Sequence, residues 1–433
     1  MGNSRKSENQ FIVGLDVGTS KIAVVVCEVS PVGDIEVIGV AEQPALGMDR
    51  GMVSNIDLMV RSIKQAIAEA ETMADCEIVG VFAGITGAHI RSYNSSGVVA
   101  IKGGEVSQDD LSRVIEAAQA VRISSDEKIL HVLPQNFSID DQDGIRDPVG
   151  LCGVRLEANV HVITGNISAV QNILKCIKLC DLEVVHVILD HIASGESVLT
   201  DDEKELGVGM LDIGDGTMDL AVYCEGALQY SVTFSMAGSQ ITNDIAVTMH
   251  TPTSSAKKIK HRYGSAIAST VDGENLIELP GIGDQPVRSV RQKYLAEVIE
   301  SRMEELFHLV LNDLNQTNNI SMLRSGMVLT GGGSRLEEVV PLAERILNLP
   351  TRLGLPRYAG PLCEVVNHPM FATGLGLCQF GCANRDVFGL TADDSTDLHS
   401  SAVNKLLEYA RKLYTRPEPE WIAVQPTDGR LKG

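Results

Sequence analysis

Apolar and polar positions along this chain switch repeatedly between a two-residue and a 3.6-residue period. "FIVGLDVGTSKIAVVVCEVS" reads as strand, turn, strand, and "IEVIGVAEQP" continues that sheet. "LMVRSIKQAIAEAETMA" carries apolar residues at helical spacing among good helix formers, and "CEIVGVFAGITG" returns to strand. From about Ile90 to Ile163 the texture changes. A glycine-rich strand pair, a helix at "QDDLSRVIEAAQAV" and short strands around "KILHVLPQNFSID" and "VHVIT" predict a small inserted α+β unit. "AVQNILKCIKLC" reads as helix and "EVVHVILDHIASGESVLT" as a strand running into a helix. "QITNDIAVTMH" and "SSAKKIKHRYG" read as helices, and "RSVRQKYLAEVIESRMEELFHLVLNDLNQ" as one long helix. "SGMVLTGGGSRLEEVVPLAERIL" predicts a strand, a glycine loop and a helix, with Ser334 as N-cap and Glu337 as its capping-box partner. Past Arg385, "DVFGLTADDSTDLHSS" is acidic and polar and predicts a flexible linker.

One internal echo stands out. "VGLDVGTSKIAVVVCEV" resembles "MLDIGDGTMDLAVYCEG", so that Asp16 matches Asp212 and Gly18 matches Gly214. Repeated sequence usually means repeated structure. Glycine lets backbone N–H groups approach a phosphate, because no Cβ blocks the way. Two facing glycine turns can clamp a polyphosphate from both sides. Each strand-end aspartate can hold hydrated Mg²⁺, a hard cation that prefers carboxylate and water oxygens. The bland alternative is two unrelated β-turns, which a second copy in a matching strand context disfavours. The triplet Gly331, Gly332 and Gly333 is a third loop of this kind, weak by itself. No GxxxxGK[ST] motif and no full GxGxxG pattern is present.

Composition narrows the classes. The 433 residues are 44% hydrophobic and 21% charged, which suits two or more packed units rather than disorder. A net charge of −21 argues against wholesale nucleic-acid binding. The longest apolar runs are too short to span a bilayer, and the start, "MGNSRKSENQ", lacks the apolar core of a signal peptide. Nine cysteines without metal-ligand spacing read as reduced thiols in a cytoplasmic protein.

"GLDVGTSK", "LDIGDGTMDLAVY", "VLTGGGSRLEEV" and "FATGLGL" fall in the order of the phosphate-1, phosphate-2, adenosine and connecting motifs of the actin-like ATPases. Within that superfamily "HVLPQNFSID", "DPVGLCGVRLEANVHVIT" and "LAEVIESR" resemble FtsA, the bacterial cell-division family, and the likeness covers about residues 11–385. The resemblance implies an α/β, actin-like (ribonuclease-H-like) two-lobed ATPase fold with an inserted subdomain in the first lobe. It implies a first-lobe core over 11–85, the insert over 86–165 and a second-lobe core over 166–241, with a first-lobe helix near 370–385. A small subdomain over 242–307, a second-lobe return over 308–385, a linker over 386–400, an amphipathic membrane helix over 401–416 and a tail over 417–433 complete the division.

The resemblance further implies ATP and Mg²⁺ as ligands, with weak hydrolysis at most and no residue singled out as catalytic. Gly18, Thr19, Ser20 and Lys21 would line one side of the phosphates, and Gly214, Asp215, Gly216 and Thr217 the other. Asp16 and Asp212 would face the metal, Gly331, Gly332 and Gly333 the nucleoside, and Lys260 the ribose or base. Proteins of this kind form filaments on the inner face of the cytoplasmic membrane at the division site. They tether the tubulin-like protein FtsZ and recruit later division proteins, here through the insert. The FtsZ C-terminal peptide would meet "PVRSVRQKYLAEVIESRMEEL", where Arg288, Arg291, Lys293 and Arg302 give local positive charge for an acidic, apolar peptide. A pilus-assembly scaffold of the same actin-like type and a sugar-kinase-like phosphotransferase are the alternatives.

Three departures from the family pattern stand out. Asp215 occupies a position where the family has glycine. Two like unit charges about 4 Å apart repel by about 4 kcal/mol at an effective dielectric of 20, so a carboxylate aimed at the phosphates would weaken binding. Asp215 is read as a turn substitution or a tuning change, not a base. Lys257 replaces a family glutamate and cannot accept hydrogen bonds from a ribose. Finally, "SAVNKLLEYARKLYTR" places Val403, Leu406, Leu407, Leu413 and Tyr414 on one face beside basic residues, the pattern of an interfacial anchor, yet "PEPEWIAVQPTDGRLKG" follows it.

Overall fold

The computed structural model describes residues 10–384, except 31, 32 and 284. The expected linker, membrane helix and tail, with Val403, Leu406, Leu407, Leu413 and Tyr414, lie outside these residues.

The chain begins with three antiparallel strands, β1 (Gln10–Val17), β2 (Lys21–Val29) and β3 (Ile35–Pro44). A two-residue hairpin, β4 (Met48–Asp49) and β5 (Met52–Val53), leads into helix α1 (Ile56–Ala74). Asn55 caps α1 by accepting from the N–H of Leu58, and its buried stripe (Met59, Ile63, Ala66, Ile67, Ala70) follows the period read from the sequence. Strand β6 (Gly80–Ile85) then pairs parallel with β1.

The inserted unit is an antiparallel sheet in the order β7-β10-β8-β9, made of β7 (Ile90–Ala100), β8 (Glu127–Ile139), β9 (Gln142–Ile145) and β10 (Arg155–Asn166). Helix α2 (Gln108–Gln119), started by a Ser107–Asp110 capping box, lies on β7. Gly97 makes this approach possible, because a Cβ there would run into the α2 backbone at Val114 and Ala118. The unit has its own core around Val114, Phe137, Leu156 and Val160.

Helix α3 (Ile167–Lys178) and strand β11 (Glu183–Leu189) follow, and β11 pairs parallel with β6. This corrects the boundary expected at residue 166. The first sheet, ordered β11-β6-β1-β2-β3, continues to residue 189, because α3 is the crossover that two parallel strands require.

Helix α4 (Asp190–Val198) leads to the short helix α5 (Asp201–Leu206) and the second lobe. There β12 (Val208–Ile213), β13 (Met218–Cys224) and β14 (Ala227–Phe234) repeat the antiparallel triplet of β1, β2 and β3. Helices α6 (Gly238–Thr248) and α7 (Thr253–Tyr263) and the hairpin of β15 (Leu276–Leu279) with β16 (Arg288–Arg291) follow, and share one hydrophobic core with the second sheet. The helix read from Arg288 starts instead at Gln292, as α8 (Gln292–Gln316), because Arg288–Arg291 pairs with β15. Strand β17 (Met327–Thr330), helix α9 (Val339–Leu347), strand β18 (Thr351–Leu353), the short α10 (Cys363–Val366) and helix α11 (Ala372–Ala383) complete the described chain. The second sheet runs β14-β13-β12-β17-β18, with β12, β17 and β18 parallel, which is the strand plan of the first sheet over again.

In the first lobe α1 covers one face of the sheet, where Gly39 admits Ala70 and Ala74. Helix α11 covers the other, where Gly14 meets Gly374, Leu377 and Cys378. Helices α4 and α11 carry the chain between lobes and cross at Gly376, where a Cβ would overlap the backbone of Ala193. Ser197 locks the crossing by donating to the carbonyl of Ala372 at 2.7 Å. Gly376→Ala is therefore expected to lower stability by about 1–3 kcal/mol, read as an earlier urea midpoint, although it raises helix propensity.

Candidate functional site

The two repeated turns superpose in their bonding. Gly18 N–H donates to the carbonyl of Lys21 at 3.0 Å, and Gly214 N–H to that of Thr217 at 2.9 Å. The strand registers match too, with Asp16 opposite Ala23 and Asp212 opposite Asp219. The turns face each other across the cleft between lobes. A Cβ on Gly216 would strike the side chain of Thr19, whose Oγ1 accepts from Gly51 N–H at 3.1 Å. The carbonyl of Ser20, next in the first turn, accepts from Ala45 N–H at 3.2 Å.

Beneath the turns lies an acidic floor. Asp16 and Asp212 are nearly buried at the ends of β1 and β12, as expected. Two further buried carboxylates, not singled out in the sequence, join them. Asp190 opens α4, and its Oδ1 crowds Gly84 without a hydrogen-bond partner. Asp219 on β13 accepts from Thr86 Oγ1 and Thr233 Oγ1, each at 2.6 Å, and from Thr217 Oγ1 at 3.3 Å. Since Thr86 belongs to the first lobe, that bond crosses the cleft. Asp190 had a readable signal, as a third aspartate at the C-terminal end of an apolar strand. Asp219 had none beyond its place at the start of the strand that follows the second turn.

Lys21 counters this charge at close range, its Nζ 2.9 Å from Asp16 Oδ2 and 5.7 Å from the ring centre of Phe371. One ammonium does not balance the group. Burial first, then the Asp219 and Asp16 carboxylates, push Asp212 up to about 7, against the pull of Ser194 Oγ, which donates to its Oδ2 at 2.7 Å, and of Lys21. Burial and the same neighbours push Asp190 well above the usual carboxylate range.

The rim carries the opposite sign. Lys260 is buried, and its Nζ donates to the carbonyl of Gly238 at 2.7 Å, behind the second turn. Burial lowers it to about 8, while Asp215 draws it back up. Burial first, then nearby cations (Lys260, Lys257 and Arg335 for His261, Arg335 and Lys21 for His368), push both histidines below the usual range, so the positive charge here is that of the lysines and Arg335. A basic rim over an acidic floor suits an anion carrying a cation beneath it.

The donors at the floor are carboxylate and hydroxyl oxygens, which fit a hard divalent cation, and the unpartnered Asp190 Oδ1 is an oxygen that such an ion could satisfy. Among the described residues no group of three or more Asp, Glu, His or Cys side chains is arranged to hold an ion by itself. A cation here would share water and ligand oxygens, as Mg²⁺ commonly does.

The glycine triplet sits beside the second turn. Gly331, at φ 81°, and Gly333 are pressed against Asp212 and Ile213, so only Gly332 presents an open face. Ser334 does not cap a helix. Its Oγ donates to the carbonyl of Gly331 at 2.7 Å within a 3₁₀ turn, and α9 starts at Val339 after Glu338 takes a left-handed φ of 62°. The backbone at Glu337 is already engaged, its carbonyl accepting from Ala266 N–H at 2.8 Å.

A cleft of about 400 Å³ lies between α6 and α8, lined by Asp244, Thr248, Tyr294, Val298 and Arg302 among others. Arg302 is not free charge there. Its Nε lies 2.5 Å from Asp244 Oδ2, and its Nη1 is 2.5 Å from Glu305 Oε2. Arg288 donates to the carbonyl of Met249. Arg291, at the end of β16, and Lys293 are exposed. Among the described residues no helix is long and apolar enough to cross a membrane.

Comparison with known proteins agrees with this architecture. A family model described as "SHS2 domain inserted in FTSA" matches residues 87–164, and one described as "Cell division protein FtsA" matches residues 209–376. Cell division protein FtsA of Pseudomonas aeruginosa is 48% identical over 372 residues, covering 86% of this chain and 89% of that protein. The FtsA of Escherichia coli (strain K12) is 41% identical over 384 residues, covering 87% and 91%. Among solved structures, a PilM–PilN type IV pilus biogenesis complex matches with a TM-score of 0.62 at 17% identity, covering 86% of this chain and 98% of that one. MreB5 of Spiroplasma citri bound to ADP matches at 0.51 and 13%, covering 86% and 96%. At those identities the likeness is one of fold, here the actin-like fold. With relatives this similar along most of its length, the chain belongs to the FtsA family of cell-division proteins.

Proposed function

We propose that this chain binds ATP with Mg²⁺ between its two lobes, polymerises on the inner face of the cytoplasmic membrane, anchors FtsZ there and recruits later division proteins to the septum. The observation that carries the nucleotide reading is the pair of matched glycine turns facing each other over buried carboxylates. Phosphate oxygens would meet the turn N–H groups and Lys21, and Mg²⁺, held near Asp16, Asp212 and Asp190 with water, would neutralise phosphate charge. Lys260 supports the second turn from behind. The membrane and FtsZ readings rest on family membership, on the basic amphipathic stretch 401–416 and on the cleft beside α8.

Removing one floor carboxylate tests the nucleotide reading. Asp212→Asn is expected to weaken Mg²⁺–ATP binding about tenfold or more by calorimetry while changing ATP binding in EDTA much less. Equal losses in both buffers would reject a metal-facing role. For the partner, an acidic peptide from the FtsZ C-terminus is expected to bind beside α8. Arg291→Glu should weaken it about fivefold at low salt and less at high salt. Arg302→Ala should act through loss of the Asp244 and Glu305 pairs, with little salt dependence. Sedimentation with anionic vesicles tests the anchor: the full chain is expected to pellet, and a Leu406→Asp, Leu407→Asp chain to stay in solution.

A further inference from the structure

Asp215 does not point its charge at the cleft alone. Its backbone carbonyl accepts from Ser239 N–H at 2.7 Å, and the carbonyl of Gly214 accepts from Gly238 N–H at 3.2 Å, so the second turn is pinned to the start of α6. Its carboxylate lies over that helix start, where a Cβ on Gly238 would stand 3.4 Å from Asp215 Oδ1 and 3.3 Å from Lys260 Nζ. The other oxygen, Oδ2, is 3.9 Å from Lys257 Nζ on α7. The two departures from the family pattern therefore meet in space.

We infer that Asp215 and Lys257 form a charge-matched pair that sets how strongly the site holds polyphosphates. Lys257 screens the Asp215 carboxylate from the phosphates, and Asp215 keeps Lys257 at the rim beside Lys260. The inference rests on the nucleotide reading above. The two charges act on a bound phosphate in opposite directions. Asp215 without Lys257 adds a negative charge to a phosphate-facing turn. Lys257 without Asp215 leaves the rim with one more unneutralised cation. The Lys257 side chain is 41% exposed and that of Asp215 22%, so solvent screens the pair and its effect is modest.

The test is a double-substitution cycle on the full chain, titrated with ATP, ADP and adenosine in Mg²⁺ buffer. Lys257→Met is expected to weaken ATP binding about two- to fivefold, ADP less, and adenosine not at all, because the effect scales with phosphate charge. Asp215→Asn alone should bind ATP at least as tightly as the unmodified chain. The double variant Asp215→Asn, Lys257→Met should recover what Lys257→Met lost. Equal losses for ATP and adenosine would mean a steric role and overturn the inference. So would an unchanged Lys257→Met protein, or a double variant no better than Lys257→Met. If the unmodified chain bound neither ATP nor ADP, the nucleotide reading itself would fall, and the pairing with it. Normal binding by the unmodified chain separates that outcome from failure of the pairing alone.

Discussion

The site depends on one constraint: four carboxylates are buried together at the strand ends of two lobes, with one ammonium close by. Like charges in a poorly solvated place repel, and the fold answers in three ways. It wraps Asp219 in three threonine hydroxyls, gives Asp212 a serine donor and sets Lys21 against Asp16. Asp190 Oδ1 receives no donor, and burial with the neighbouring carboxylates pushes this carboxyl well above the usual range. Such an arrangement is stable enough to fold and poised to accept positive charge.

The repeated sheet explains why the carboxylates converge. Each lobe carries the same order of three antiparallel and two parallel strands, so the aspartate that ends the first strand arrives at the same relative place in both. Helices α4 and α11 tie the lobes at their crossing. Ser194 on α4 touches both Asp212 and Thr373, so the crossing reaches the floor directly. The inserted unit touches the second lobe as well. Ser92, Asn94 and Gln135 donate to backbone carbonyls of β14, which would otherwise be an open sheet edge. The floor of the cleft is thus hydrogen-bonded both to the crossing helices and to β14.

Much of this was legible. The paired "LDVG" and "LDIG" turns, helices α1 and α2 and the insert show in local pattern, because a glycine turn after an apolar strand and a capped amphipathic helix are local devices. What stayed hidden depends on distant partners. Nothing within "EVVHVIL" says which sheet receives β11, and the strand at Arg288–Arg291 exists only because β15 pairs with it. Ser334 and Glu337 satisfy a capping-box pattern, yet Ser334 lies in a 3₁₀ turn with its Oγ donating to the Gly331 carbonyl, and Glu338 turns left-handed before α9 begins. Asp215 and Lys257 each looked like a defect when read alone. Their proximity is a tertiary fact, and it recasts both.

The most direct measurement is ATP affinity of the unmodified chain by calorimetry, once with Mg²⁺ and once with EDTA. Buried carboxylates short of positive charge should reject a bare triphosphate and accept it with its cation. The account predicts binding in Mg²⁺ at least about tenfold tighter than in EDTA. Equal affinity in both buffers would mean that the acidic floor plays no part in ligand binding, and would contradict the account.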